Sequence, residues 1–221
     1  MIIKSIFPVP AVDPVSERVL AYIDGFNLFF GLKSKGWKRF YWLDVNALSR
    51  NLLRPDQRLR GVKYFTSRVS TSPTDPDQAR RQNTYLEALA TLPDTSLFFG
   101  HYLAKPVECH ACGNRWTKNE EKMTDVNIAT ELLVDAFQDR FDTALLVTAD
   151  SDLAGPLMKL RSLFPAKRVV VVFPPDRVSE RLKREASSWL TLGRGTIARS
   201  QLSTPVIKPD GFALHRPATW I

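Results

Sequence analysis

The sequence predicts an α/β protein: a mainly parallel sheet covered on both faces by helices, the three-layer α/β/α arrangement of Rossmann-like folds. Three observations carry this. Short apolar runs of strand length alternate with longer stretches of helical spacing. One run, Arg168-Val169-Val170-Val171-Val172-Phe173, is continuous and β-branched, as expected of a strand covered on both sides. Two other runs end at once in acidic clusters, Asp24-Gly25-Phe26-Asn27 and Thr148-Ala149-Asp150-Ser151-Asp152, where open α/β sheets place their ligands.

In chain order, residues 1–15 carry Pro8, Pro10 and Pro14 and read as an extended lead-in. Arg18–Ile23 is the first strand. A helix starts at Phe26 and runs to about Gly31, and the leucines between Leu43 and Leu53 repeat with helical spacing. Gly61–Thr66 is the second strand. Asp77–Leu92 is a long helix with Ala79, Tyr85, Leu86 and Leu89 on one face, ended by Pro93. Ser96–Leu103 reads as a third strand, and 104–121 as an irregular insert holding Cys109 and Cys112. From Thr124 a helix turns Ile128, Ala129, Leu132, Leu133, Ala136 and Phe137 inward, ahead of the strand Ala144–Val147. Leu153–Leu163 is a helix, Arg168–Phe173 a strand, Val178–Leu190 a last helix and Thr196–Ala198 a short edge strand. The domain is expected over 16–200, with 201–221 as a C-terminal tail. There is no internal repeat or low-complexity tract.

A chain of 221 residues, 44% hydrophobic and 24% charged, is large enough to bury a core without staples. No run reaches the roughly 18 apolar residues a membrane span needs, and the first residues lack a signal-peptide core, so the expectation is a cytoplasmic protein with no membrane partner. Two cysteines are too few for a disulfide framework. The net charge of +8 favours a polyanionic partner or simply keeps the protein soluble.

The chemistry rests on the acids. Taken singly, Asp24-Gly25 is an ordinary strand-to-helix turn, and Thr124, Asp125, Asp150 and Ser151 are ordinary helix caps. In a parallel sheet, however, all these turns fall on one edge, which gathers Asp24, Asp125, Asp150 and Asp152. Four neighbouring carboxylates repel one another unless a hard cation, Mg²⁺ or Mn²⁺, takes their oxygens. Such an ion at a basic surface suits hydrolysis of a phosphodiester.

The segments Tyr22-Ile23-Asp24-Gly25-Phe26-Asn27, Glu121-Lys122-Met123-Thr124-Asp125-Val126-Asn127 and Thr148-Ala149-Asp150-Ser151-Asp152-Leu153 resemble, in order and spacing, those of the NYN domains of the PIN-like nuclease superfamily, over roughly residues 18–190. The resemblance implies a PIN-like sheet and metal-dependent cleavage of RNA. Asp24, Asp125, Asp150 and Asp152 are then the metal-binding and catalytic acids, Asn27 accompanies the first, and Lys122 precedes the second. Met123 departs from the pattern, standing where many relatives have glycine.

Substrate contacts are expected from Asn27, Lys122, Thr148, Ser151 and Arg81. Lys33, Lys35, Lys38 and Arg39, interleaved with Trp37 and Tyr41, form a candidate footprint for a single strand. Cys109-His110-Ala111-Cys112-Gly113 is half of a zinc knuckle. With no second cysteine pair, zinc would need His101 or His110 and a further ligand, and a knuckle without metal is the favoured reading. The function expected is a metal-dependent endoribonuclease. Two alternatives stay open: a non-catalytic RNA-binding module, or an NADH-dependent hydroxylase of a substituted pyridine, as described for some relatives. The sequence does not separate RNA from single-stranded DNA, and it leaves a homodimer open.

Overall fold

The computed structural model describes residues 16–71, 74–109 and 111–221, and the expected lead-in lies outside them. A six-stranded, all-parallel sheet organises the chain. Its strands are β1 (Glu17–Asp24), β2 (Gln57–Thr66), β3 (Thr95–Phe99), β6 (Thr143–Val147), β7 (Arg168–Phe173) and β8 (Ser188–Thr191), in the order β3-β2-β1-β6-β7-β8. The chain builds outward from β1 in one direction, then returns to its other side. This reversal opens a crevice at the carboxyl ends of β1 and β6, the switch point where such sheets bind ligands.

The helices fall on both faces. On one lie α1 (Gly25–Ser34), α2 (Val45–Arg50), α3 (Gln78–Ala90) and α7 (Arg194–Arg199), and on the other α4 (Thr124–Phe137), α5 (Ala154–Leu163) and α6 (Glu180–Glu185). Strand alternation explains the division. Val19, Ala21 and Ile23 of β1 join the first core with Leu28, Leu48 and Leu89, while Leu20 and Tyr22 join the second with Ile128, Leu132 and Leu157. Asp24 continues the second series, so the first acid belongs to the face that α4 covers.

The second core holds a polar knot. Asp135 of α4 is fully buried and accepts from Tyr22 Oη at 2.6 Å, from Arg140 Nη1 at 3.1 Å and from Lys63 Nζ, which also bonds Glu131 at 2.6 Å. Burial, then Asp135, push the Tyr22 hydroxyl far above its ordinary pKa and keep it a donor.

Several expected elements differ. The strand Ser96–Leu103 breaks at Gly100 into β3 and a new strand, β4 (His101–Glu108). The insert is an antiparallel hairpin of β4 with β5 (Arg115–Lys122). The helix expected over 178–190 stops at Glu185, because Ser188–Thr191 pairs with β7 as the sheet edge. The expected edge strand at 196–198 is α7. Phe137, expected to point inward, is 81% exposed at the last position of α4, where the helix leaves the sheet. Residues after 200 pack on the first core. Leu202, Val206 and Leu214 are buried, β9 (Val206–Ile207) pairs with β10 (Ala213–Leu214), and the Trp220 ring meets Tyr41, Trp42 and Tyr85 at 5.6, 6.4 and 6.1 Å.

Candidate active site at the carboxyl ends of β1 and β6

Asp24 ends β1, 2% exposed, and caps α1. Its Oδ1 accepts from Asn27 N at 2.9 Å, and its Oδ2 accepts from Asn27 Nδ2 at 2.6 Å and Thr148 Oγ1 at 3.0 Å. Burial raises its pKa against these three donors, and the charge of Asp150 adds to the rise. The pairing of Ile23 with Val147 puts Thr148 beside Asp24, and Thr148 Oγ1 also accepts from Asp150 N at 3.1 Å. Asp150 in turn caps the next turn, its Oδ1 accepting from Asp152 N at 3.0 Å.

Gly25 permits this start of α1. A Cβ there would lie 2.5 Å from Tyr64 Oη and 2.9 Å from Phe65 O, so any larger residue would push the helix off β2. Gly31 allows a second close approach further along the helix, since its Cβ would meet Pro175 O at 2.7 Å and Pro174 Cβ at 2.8 Å. The loop after β7 therefore lies directly against α1. Lys35 Nζ and Ser34 Oγ fasten it by bonds to Asp176 at 2.8 and 3.1 Å. The next residue, Arg177, reaches the site: its Nη1 donates to Asn27 Oδ1 at 2.9 Å, which turns the Asn27 amide so that Nδ2 faces Asp24.

Asp24, Asn27, Asp125 and Asp150 line one cleft of about 340 Å³, with Thr124, Phe26, Phe30 and Arg177. Thr148, bonded to Asp24, backs this cleft, whereas the other expected site residues are not part of its lining. Ser151 and Asp152 are exposed on the turn after Asp150, and Lys122 ends β5 just before Met123. Arg81 is not at this cleft. From α3 it pairs with Asp75, ahead of the helix, and lines a separate cleft of about 290 Å³ with Arg80, Thr84 and His215. Of the aromatic footprint, Tyr41 is 8% exposed and packed in the core, which removes it as a stacking surface. Arg177, Phe26 and Phe30 were not foreseen.

Met123 takes a left-handed conformation, φ 81°, as the residue before α4, with its side chain 45% exposed. That conformation explains why glycine suits the position. Met123→Gly is expected to raise stability by up to about 1 kcal/mol, relief of strain outweighing the added chain entropy. A denaturant midpoint at or below that of the parent protein would contradict this.

Cys109 and Cys112 form the tip of the β4–β5 hairpin, with Gly113 at φ 68°. Backbone N–H groups of Ala111 and Cys112 point at Cys109 Sγ and lower its pKa. His101 sits at the far end of β4, about 26 Å away along the strand, and cannot complete a zinc site with these cysteines, while His110 lies outside the described residues. Among the described residues no three His, Cys, Asp or Glu side chains stand close enough to enclose a metal ion, at the hairpin or at the cleft.

The sequence model of the NYN domain matches residues 18–193, the span that builds the sheet and the cleft. The chain belongs to the NYN domain family. This family is part of the PIN-like nuclease superfamily, whose members are generally nuclease-like hydrolases. The NYN chain is also similar to 6-hydroxy-3-succinoylpyridine 3-monooxygenase HspA of Pseudomonas putida (strain DSM 28022 / S16), at 29% identity over 94% of this chain and 76% of that one. Its fold is shared with a protein of unknown function from Vibrio parahaemolyticus RIMD 2210633. That match has a TM-score of 0.54 and 15% identity, and covers 86% of this chain and 99% of the other. Among the described residues no helix is long and apolar enough to cross a membrane.

Proposed function

We propose that this NYN domain is a metal-dependent ribonuclease that hydrolyses RNA phosphodiester bonds in the cleft of Asp24, Asp125 and Asp150. The observation that carries the reading is the buried Asp24 carboxylate. Three donors occupy three of its roughly four lone-pair positions, and burial still raises its pKa, so the anion lacks sufficient compensation. A hard cation fits this donor set. Mg²⁺ or Mn²⁺ keeps several waters and needs only one or two carboxylates, so the lack of a closed cage among the described residues does not oppose it. Of Asp24, Asp125 and Asp150, one or two would hold the ion directly, and the remaining acids, with Asp152 on the exposed turn, would act through its bound waters. The ion supplies charge against the anion that develops on phosphate and makes water more acidic.

The chain's own groups do the rest. Thr148 and Asn27 fix the Asp24 carboxylate, and Arg177 fixes Asn27 while offering positive charge beside the cleft. We assign Lys122 and Ser151 to phosphate contacts at the margin. Water adds to phosphorus as a cleft carboxylate takes one of its protons, and the P–O bond to the departing ribose oxygen breaks as that oxygen takes up a proton from solvent, leaving a phosphate monoester and a free hydroxyl. Domains of this family generally act on RNA, and the net charge of +8 agrees with such a partner.

The test is cleavage of end-labelled single-stranded RNA in Mn²⁺, Mg²⁺ and EDTA by the parent protein and Asp150→Asn. Cutting that needs metal and is lost in the variant is expected. Intact RNA in every lane, or equal cutting by both proteins, would refute the reading.

The relative from Pseudomonas putida favours a second reading, in which the cleft receives a substituted pyridine for hydroxylation. NADH oxidation stimulated by such a ring, without RNA cleavage, would be its signature.

A further inference from the structure

Helix α1 buries Gly25, Leu28, Gly31 and Leu32 against the sheet and leaves aromatic rings on its other side. Phe29 is 37% and Phe30 43% exposed. The rings of Phe26 and Phe30 stack, 6.3 Å between centroids at 26°, and both line the cleft of the three acids. Two cations lie over the Phe30 ring, the Arg177 guanidinium 5.7 Å and Lys33 Nζ 6.0 Å from its centroid, at the outer range of cation–π contact, where an incoming base would take their place. One wall of the acidic cleft is thus aromatic, with long cationic side chains lying over its half-exposed ring.

We propose that Phe30, backed by Phe26, is a stacking subsite for an unpaired nucleobase, so that the cleft takes its RNA single-stranded. This rests on the ribonuclease reading and names its substrate class. A base in a duplex has both faces covered by its neighbours, whereas an unpaired base offers one to an aromatic ring. The phosphate beside the stacked base would then meet Arg177, whose charge faces both the ring and the cleft. Every base has a π-face, so the subsite selects for unpaired structure more than for base identity. The Gly31 contact with Pro174 and Pro175 holds the two halves of the subsite together, fixing the Arg177 loop against the helix that bears Phe30.

The test is fluorescence anisotropy of a labelled single-stranded RNA and a matching duplex, in EDTA so that neither is cut. The proteins are the parent, Phe30→Ala, Phe30→Trp, and Phe29→Ala as a control for an exposed ring that does not line the cleft. Phe30→Ala is expected to weaken single-strand binding about tenfold, with Phe30→Trp restoring it. Phe29→Ala and all duplex affinities should change little. Equal single-strand affinity in Phe30→Ala and the parent would overturn the subsite, as would an equal loss for duplex. Unchanged binding with metal-dependent cleavage retained removes the subsite alone. A selective loss of single-strand binding, with no cleavage by any protein, supports the subsite and removes the nuclease.

Discussion

An Asp24→Asn protein should lose metal-dependent RNA cleavage by at least about 100-fold, the scale on which removing one fixed charge or donor from a catalytic site acts. The substitution keeps the size of the side chain but removes the charge that would draw the cation. It also turns one oxygen into a donor facing Asn27 and Thr148, which already donate to it. A residual rate within a few-fold of the parent would remove Asp24 from the site.

The same variant carries a pH signature. Burial raises the folded-state pKa of Asp24, with Asp150 adding to it, so the protonated form is the one that folding favours. Its contribution to stability is full below the ordinary carboxylate value of 3.8 and is lost as pH rises through the raised value. Asp139 and Asp142, lowered by Lys167 and Arg18, act in the opposite sense. The readout is therefore the difference between the proteins. Relative to Asp24→Asn, the parent should lose stability as pH rises above 3.8, and Mn²⁺ should restore it by binding only the folded state. Parallel stability curves would show that Asp24 carries no such strain.

Asp135→Ala should lower the unfolding free energy by about 3–5 kcal/mol, the cost of stranding a buried charge. Domains of this kind have about 5–15 kcal/mol in total, so the loss is severe. Lys63, 12% exposed, would keep only Glu131, and the buried Tyr22 hydroxyl would lose its acceptor. Arg140→Ala removes the half-exposed member and should cost under about 1 kcal/mol. Urea or guanidinium unfolding of both variants checks the ranking. A loss below about 1 kcal/mol for Asp135→Ala would mean that water reaches Lys63 and Tyr22.

What could be read beforehand was local. Ala21-Tyr22-Ile23 running into Asp24, and Leu145-Leu146-Val147 into Thr148, are apolar strands that stop at a polar residue, and a parallel sheet brings their ends together without further information. Arg177 carries no such mark. Its place depends on Gly31 meeting Pro174 and Pro175, a contact between segments more than 140 residues apart. Phe30 was hidden because a phenylalanine in an apolar helix reads as core, and only the sheet decides which face is covered. Ser188–Thr191 reads as helix because the charged helix Glu180–Glu185 continues in helical spacing, while pairing with β7 is a long-range demand that overrides it. The hairpin of β4 and β5 mixes charged and apolar residues without clear alternation, which left no period to follow.

The hydrogen bond from Thr148 to Asp24 joins residues 124 positions apart, across the central pair of an all-parallel sheet. Parallel pairing of such separation forms late, because loop closure precedes the contacts that reward it. A nascent or half-folded chain therefore displays its acids on unconnected segments and has no assembled cleft. Whatever chemistry this cleft performs, it cannot begin until the sheet that builds it is complete.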